Sequence, residues 1–212
     1  MSILHQQLSE ILGKLHYLKR MVQKFVFEAN KLLRQNFLRN FEYHPQTSLL
    51  ETNPSLGAGN GHAQSSDLQF LVPLLALLRV LKCNSVLDLG SGDGYVLRVA
   101  EQLGYSYCYG VEADPNLCDI SRDNLSRSTI LNNFFSEVTV DSFEKPIDLI
   151  YFFNPDSPIN MLDVCLNLRG LSTKFILTKN QEFHSNSMFK LNVKLVFRIS
   201  SYRLYRSLRN KK

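Results

Sequence analysis

Two features of the sequence place residues capable of ligand chemistry close together. The segment Gly90-Ser91-Gly92-Asp93-Gly94 directly follows the apolar run 85–89. Glycine adopts the dihedrals of a tight turn and lets a ligand approach bare backbone, and amides at the start of a following helix bind anionic groups. The second feature is Glu112, which ends the next apolar run and would accept hydrogen bonds from both hydroxyls of a ribose. Together they predict a site for a nucleoside ligand.

The elements that position these residues alternate between strand and helix from residue 67 onward. This alternation predicts a three-layer α/β domain with a mostly parallel sheet, and its end predicts a C-terminal antiparallel hairpin. Ligands bind such sheets at the carboxyl ends of the strands, where the strand order reverses. Strands are predicted at 85–89, 107–112, 147–153, 174–178, 191–198 and 202–207, and helices at 68–81, 95–103, 115–126 and 161–168.

The glycine segment with the preceding Asp88-Leu89 resembles the first motif of class I, S-adenosylmethionine-dependent methyltransferases. Gly110-Val111-Glu112 resembles their second motif. The resemblance implies S-adenosylmethionine as the cofactor, with the glycines and Asp88 at its methionine part, Glu112 at its ribose, and Ala113 and Asp141 at its adenine. The complete set of implied cofactor-binding residues is Asp88, Gly90, Ser91, Gly92, Gly94, Glu112, Ala113, Asp141 and Ser142.

Asn154, Pro155 and Asp156 follow the predicted strand 147–153, where the family faces its substrate, and the resemblance implies a catalytic role for them. In amine-directed members, an Asn or Asp followed by Pro accepts hydrogen bonds from the target nitrogen. Those members continue with a second Pro and an aromatic residue, whereas this chain has Asp156 and Ser157. The departure argues against adenine or glutamine amide as acceptor and leaves a lysine-type amine. Alternatively, Asp156 or Ser157 caps the next helix.

Three functions are compatible with these features. The first is a methyltransferase acting on an amine nitrogen of a protein, and the second is an RNA methyltransferase. The third is a non-catalytic adaptor that keeps the fold. A nicotinamide-binding domain is disfavoured because its loop has the pattern Gly-x-Gly-x-x-Gly, whereas the glycines here alternate.

The distribution of charge bears on the macromolecular partner. The net charge of +5 combines +5 in residues 1–40, −6 in 41–197 and +6 in 198–212. Basic ends on an acidic body predict a polyanionic partner such as RNA, or they are simply solvated faces.

Composition divides the chain into a helical extension at 1–41, a loop or lid at 42–66 and the methyltransferase domain at 67–212. Apolar residues within 2–36 recur at alternating spacings of four and three, which predicts either homo-oligomerisation through a heptad seam or packing of the helix on its own domain. The seam consists of Leu4, Leu8, Ile11, Leu15, Leu18, Val22, Phe25, Ala29 and Leu32.

The remaining composition predicts an ordinary cytoplasmic protein. The four cysteines show no metal-type spacing and are expected to be reduced thiols. The five histidines are scattered, so no metal site is expected. The longest apolar stretch, 68–81, is too short and too interrupted to cross a membrane.

Overall fold

The computed structural model describes residues 68–153, 158–168, 173–183, 188 and 191–208. The predicted extension at 1–41, the loop or lid at 42–66, and the proposed catalytic residues Asn154, Pro155 and Asp156 lie outside these ranges. What the sequence predicts for them stays a prediction.

Within the described ranges the chain forms a seven-stranded sheet in the order β3-β2-β1-β4-β5-β7-β6. β7 is antiparallel to both of its neighbours, and the other adjacent strands are parallel. The predicted α/β architecture with a C-terminal antiparallel hairpin is confirmed. The strands are β1 (Ser85–Leu89), β2 (Tyr107–Glu112), β3 (Thr129–Asn132), β4 (Leu149–Phe153), β5 (Phe175–Lys179), β6 (Val193–Ile199) and β7 (Tyr202–Ser207); the helices are α1 (Leu68–Val80), α2 (Tyr95–Gln102), α3 (Pro115–Asn124) and α4 (Pro158–Leu168).

Two apolar clusters, one on each face of the sheet, form the core. Residues of α1, α2 and α3 contribute to the first cluster. Residues of α4, together with Phe183 and Leu191, contribute to the second. Every residue of β1 and β5 is buried, as expected for parallel strands covered on both faces. None of the described helices is long and apolar enough to cross a membrane.

The chain adds β2 and β3 on one side of β1 and then returns to place β4 on the other. The strand order therefore reverses between β1 and β4, which pair with Leu89 opposite Phe152. Parallel sheets bind ligands at such a reversal, at the carboxyl ends of the strands. The glycine turn follows β1 at this edge, as predicted.

Candidate cofactor site

The turn after β1 is built from glycines with left-handed backbone dihedrals. Gly90, Gly92 and Gly94 have φ angles of 79°, 55° and 82°. The amides of Gly90 and Ser91 both donate to the Val111 carbonyl oxygen, at 2.9 and 3.2 Å. The turn is thereby fastened to β2, and Gly94 leads into α2 as its N-cap residue.

The glycines of this turn differ in what surrounds them. A Cβ atom on Gly92 would meet no atom within 4 Å, so this residue faces open space. A Cβ atom on Gly94 would lie 2.5 Å from Ser121 Oγ and 2.8 Å from Leu125 Cδ1. Gly92 therefore lines the opening at which a ligand can contact backbone, whereas Gly94 allows α3 and the residue that follows it to pack closely.

Glu112 points toward the turn. Its Oε2 accepts a hydrogen bond from the Gly92 amide at 2.9 Å, and its Oε1 accepts from the amides of Ala113 and Asp114 at 2.9 and 3.0 Å. These three donors fix the carboxylate beside the open face of Gly92. A carboxylate has about four acceptor positions, so capacity remains for a ribose hydroxyl.

Asp88 is the most deeply buried acid of the site, with 2% of its surface exposed. Burial raises its pKa well above the usual range, and the neighbouring carboxylates of Glu112 and Asp93 add to the effect. None of the hydrogen bonds among the described residues reaches its side chain. This position therefore favours a cationic group such as the ammonium of an amino acid.

Ser91, in the glycine turn, carries a hydroxyl group that the described residues leave without a hydrogen-bond partner. Its Oγ is buried and has no hydrogen-bond partner within the described structure. A Cβ atom on Gly110 would lie 2.7 Å from this oxygen, so the second motif needs glycine to leave space for the serine. An orphaned buried hydroxyl beside an open glycine fits a polar ligand that brings its own partner.

The segment after β3 brings further residues to this edge, and sequence reasoning missed them. Asn132 Nδ2 donates to the carbonyl oxygens of Glu112 and Ala113, and the Asn133 amide donates to the Glu112 carbonyl oxygen. The side chain of Phe134 follows with 53% of its surface exposed. Phe134 directly follows Asn133, whose amide contacts β2, and an exposed aromatic ring at this position is suited to stack on a base. The sequence feature that could have revealed this segment is Asn132-Asn133-Phe134-Phe135, which follows a short stretch with β-branched residues.

Asp141 and Ser142 lie farther along, in the exposed 3₁₀ helix Val140–Ser142. Ser142 Oγ accepts a hydrogen bond from the Thr139 amide. None of the hydrogen bonds found among the described residues joins Asp141 or Ser142 to the glycine turn or to Glu112. The structure brings together Asp88, Gly90, Ser91, Gly92, Gly94, Glu112 and Ala113. Their cofactor-binding roles, like those of Asp141 and Ser142, stay predictions.

At the neighbouring strands, Phe153 ends β4 and Lys179 ends β5, and the two are register partners. Lys179 Nζ lies 4.0 Å from the centroid of the Phe153 ring, and 8% of Lys179 is exposed. This buried cation stands beside the strand that leads into Asn154. Among the residues described, no group of three or more His, Cys, Asp or Glu side chains is arranged to hold a metal ion.

The family model for protein-L-isoaspartate(D-aspartate) O-methyltransferase (PCMT) matches residues 6–142, more than half of the chain. The chain belongs to this family. The match confirms the class I methyltransferase assignment and S-adenosylmethionine as the cofactor.

Curated relatives share part of the chain. Ribosomal protein L11 methyltransferase of Cupriavidus metallidurans is 30% identical over 127 residues, which is 59% of this chain and 40% of the relative. The corresponding enzyme of Xanthomonas oryzae pv. oryzae is 32% identical over 87 residues, or 41% of this chain and 28% of the relative. The chain thus spans less than half the length of these proteins.

Solved structures show the same fold at low sequence identity. A ribosomal protein L11 methylase from Lactobacillus delbrueckii subsp. bulgaricus has a TM-score of 0.51 and 13% identity, covering 66% of this chain and 78% of that one. A protein from Pyrococcus horikoshii, provisionally assigned as an RNA methyltransferase, has a TM-score of 0.53 and 14% identity. The match covers 71% of this chain and 88% of that one. Both support the fold.

Proposed function

We propose that this chain transfers the methyl group of S-adenosylmethionine to a protein, at an amine nitrogen. The observation that carries the proposal is the open face of Gly92 beside the fixed carboxylate of Glu112. When bound, S-adenosylmethionine supplies a methyl group on a sulfonium, which a nucleophile displaces in line. The protein's task is then to hold and orient the two reactants.

The described residues divide this task between them. Glu112 accepts hydrogen bonds from the ribose, while three backbone amides keep its carboxylate in place. Asp88 compensates the ammonium of the methionine part, and Ser91 offers its hydroxyl to the same end of the ligand. Ala113 and the exposed ring of Phe134 border the adenine. These residues bind and align the donor, and none of them has to transfer a proton.

A protein acceptor is supported by the relatives, which are named for methylation of a ribosomal protein. The hydrogen-bond acceptors predicted at Asn154, Pro155 and Asp156 support an amine as the methylated group. A carbonyl or carboxylate oxygen there would orient the nitrogen lone pair toward the methyl group. RNA remains the alternative macromolecule, suggested by the basic ends of the chain.

A carboxylate oxygen is the second candidate acceptor. It is supported by the family to which the chain belongs, which is named for O-methylation.

One experiment separates these acceptors. The full-length chain is incubated with methyl-radiolabelled S-adenosylmethionine and cell extract, and portions are treated with protease, RNase or mild alkali. Label that protease removes and alkali leaves in place supports N-methylation of a protein, whereas release as volatile methanol identifies a methyl ester. Label removed by RNase would contradict the protein proposal. Cofactor binding with no label in any fraction would identify a non-catalytic adaptor.

The proposal includes a cytoplasmic location and the division of the chain at residues 41 and 66. All four cysteines are free and buried, which fits a reducing compartment. The family model begins at residue 6 and so includes most of the predicted extension. That overlap supports packing of residues 2–36 on their own domain over homo-oligomerisation through the heptad seam.

A further inference from the structure

The side chain of Asn132 lies against the loop that carries Glu112. Strands β2 and β3 end side by side, with Glu112 and Asn132 as register partners. Asn132 Nδ2 donates to the Glu112 carbonyl oxygen at 3.1 Å and to the Ala113 carbonyl oxygen at 3.0 Å. A side-chain amide nitrogen carries two hydrogens, one for each of these bonds. One side chain therefore holds two successive carbonyl groups at the end of β2.

The opposite ends of the same two peptide groups are held by the Glu112 carboxylate. The group that joins Glu112 to Ala113 donates its N–H to Glu112 Oε1 at 2.9 Å, and the next group, at Asp114, donates to the same oxygen at 3.0 Å. Both peptide bonds are trans, and a planar trans peptide group points its N–H and its C=O in opposite directions. The two groups thus lie between the Asn132 amide on one side and the Glu112 carboxylate on the other.

This arrangement couples the placement of the Glu112 carboxylate to Asn132. Turning a peptide plane moves its C=O and its N–H together, because the group is rigid. By fixing the two carbonyl oxygens, the Asn132 amide also fixes the direction of the two N–H groups that donate to Glu112 Oε1. Hydrogen bonds in series polarise one another, which strengthens the bonds at the carboxylate.

The location of Asn132 shows that its bonds are not needed merely to satisfy buried polar groups. Asn132 is exposed, and both of its bonds lie at the protein surface, where a carbonyl oxygen can accept from water instead. The Glu112 carbonyl oxygen also accepts from the Asn133 amide at 3.1 Å and from Cys118 Sγ at 3.4 Å. What Asn132 adds is a fixed direction for the two peptide groups.

We infer that Asn132 is a positioning residue for the ribose of the cofactor and that it acts through Glu112. The inference rests on the cofactor site of the proposed function and does not depend on which group accepts the methyl. The free acceptor positions of the Glu112 carboxylate face the ribose hydroxyls only while the peptide groups behind it keep their direction. Asn132→Asp replaces the donor nitrogen by a carboxylate oxygen, which repels the two carbonyl oxygens that the amide holds.

The test compares two ligands by calorimetric titration into the full-length chain. One is S-adenosylhomocysteine, the demethylated form of the cofactor, and the other is its 2′,3′-dideoxy analogue, which lacks both ribose hydroxyls. The two ligands carry the same charges, so a charge added to the protein affects them alike. The variants are Asn132→Asp and Asn132→Ala. Thr129→Asp is the matched control, because Thr129 is exposed at the other end of β3.

We expect the wild-type chain to bind S-adenosylhomocysteine about tenfold more tightly than the dideoxy analogue, through the bonds to Glu112. Asn132→Asp should weaken binding of S-adenosylhomocysteine about tenfold and Asn132→Ala about threefold, while both change binding of the dideoxy analogue less than about twofold. Thr129→Asp should preserve both affinities. If Asn132→Asp fails to fold, Asn132→Ala decides the test.

A merely structural role of Asn132 predicts different results. Equal weakening of both ligands by the Asn132 variants, or the same loss in Thr129→Asp, would overturn the inference. A wild-type preference for the ribose ligand that stays unchanged in the Asn132 variants would overturn the positioning role alone, and the cofactor site would stand. A wild-type chain that binds both ligands equally would remove Glu112 from the ribose, and the inference with it. Binding of neither ligand would refute the cofactor site of the proposed function itself.

Discussion

At the residue scale, the two acids Glu112 and Asp88 of the site differ in whether hydrogen bonds of the fold stabilise their negative charge. Glu112 receives three backbone hydrogen bonds, whereas Asp88 is buried beside two other carboxylates and no described donor reaches it. The sequence predicts which residues gather at the site, since their positions follow from strand ends. It cannot show that Gly92 faces open space while Gly94 packs against Ser121, because that depends on where α3 lies.

Asp88 should make stability depend on pH in the cofactor-free protein. Its pKa is raised in the folded state, so the fold favours the protonated form. That contribution is complete below the ordinary carboxyl pKa of about 3.9 and is lost as pH rises through the raised value. Asp88→Asn keeps a neutral side chain at every pH. Urea unfolding should therefore show the variant gaining in free energy of unfolding over the wild type as pH increases from about 4. A difference that stays constant with pH would contradict the account.

The same Asp88→Asn variant should bind S-adenosylmethionine at least tenfold more weakly near neutral pH, because it no longer supplies a negative charge to the ligand's ammonium. Calorimetric titration measures the loss, and Asp119→Asn serves as the control because Asp119 is an exposed acid of α3. Unchanged affinity in Asp88→Asn would remove this residue from the cofactor site.

At the element scale, periodicity and apolar runs predict the central strands and all four described helices to within a few residues at their ends. Strand β3 was missed. It spans four residues, of which only Ile130 is buried, whereas every residue of β1 and β5 is buried. Its position on β2 is set by long-range pairing between Glu112 and Asn132. A short edge strand of this kind has too little local signal to be recognised from sequence.

The contact between the glycine turn and α3 predicts unequal effects for two glycine substitutions. Gly94→Ala strains a positive φ and also drives a Cβ atom into Ser121 and Leu125. Gly104→Ala strains a similar φ of +81° with nothing within 4 Å. Chemical denaturation should show a cost of about 1 kcal/mol for Gly104→Ala and about 1–3 kcal/mol more for Gly94→Ala. Equal costs would mean that α3 does not pack against the turn as described.

At the scale of the whole molecule, the four cysteines report on the integrity of both cores. Burial raises the thiol pKa of Cys83, Cys108 and Cys165 to about 12 and that of Cys118 to about 11. Thiolates are the reactive species, so the folded chain should resist Ellman's reagent at pH 8. We expect four thiols to react after denaturation and essentially none before it. Rapid labelling of a native thiol would show that part of the core is open.

The helix predicted within residues 2–36 bears on the oligomeric state of the chain. Since the family model extends to residue 6, we expect residues 2–36 to complete this domain, with the chain sedimenting at its own mass of 24.4 kDa. Sedimentation equilibrium across a range of protein concentrations measures this. A mass of two chains would favour the heptad seam instead. Sequence periodicity leaves both outcomes open, because a wide apolar stripe suits either partner.

The central claim is that S-adenosylmethionine binds against the bare backbone of Gly92 beside Glu112. Its most direct test is calorimetric titration of the cofactor into Gly92→Arg and Gly104→Arg. Both glycines have positive φ and open space around the missing Cβ, so the two substitutions impose comparable strain. We predict that Gly92→Arg abolishes measurable cofactor binding and that Gly104→Arg, which lies beyond α2, retains wild-type affinity. Wild-type affinity in a folded Gly92→Arg protein would contradict the account.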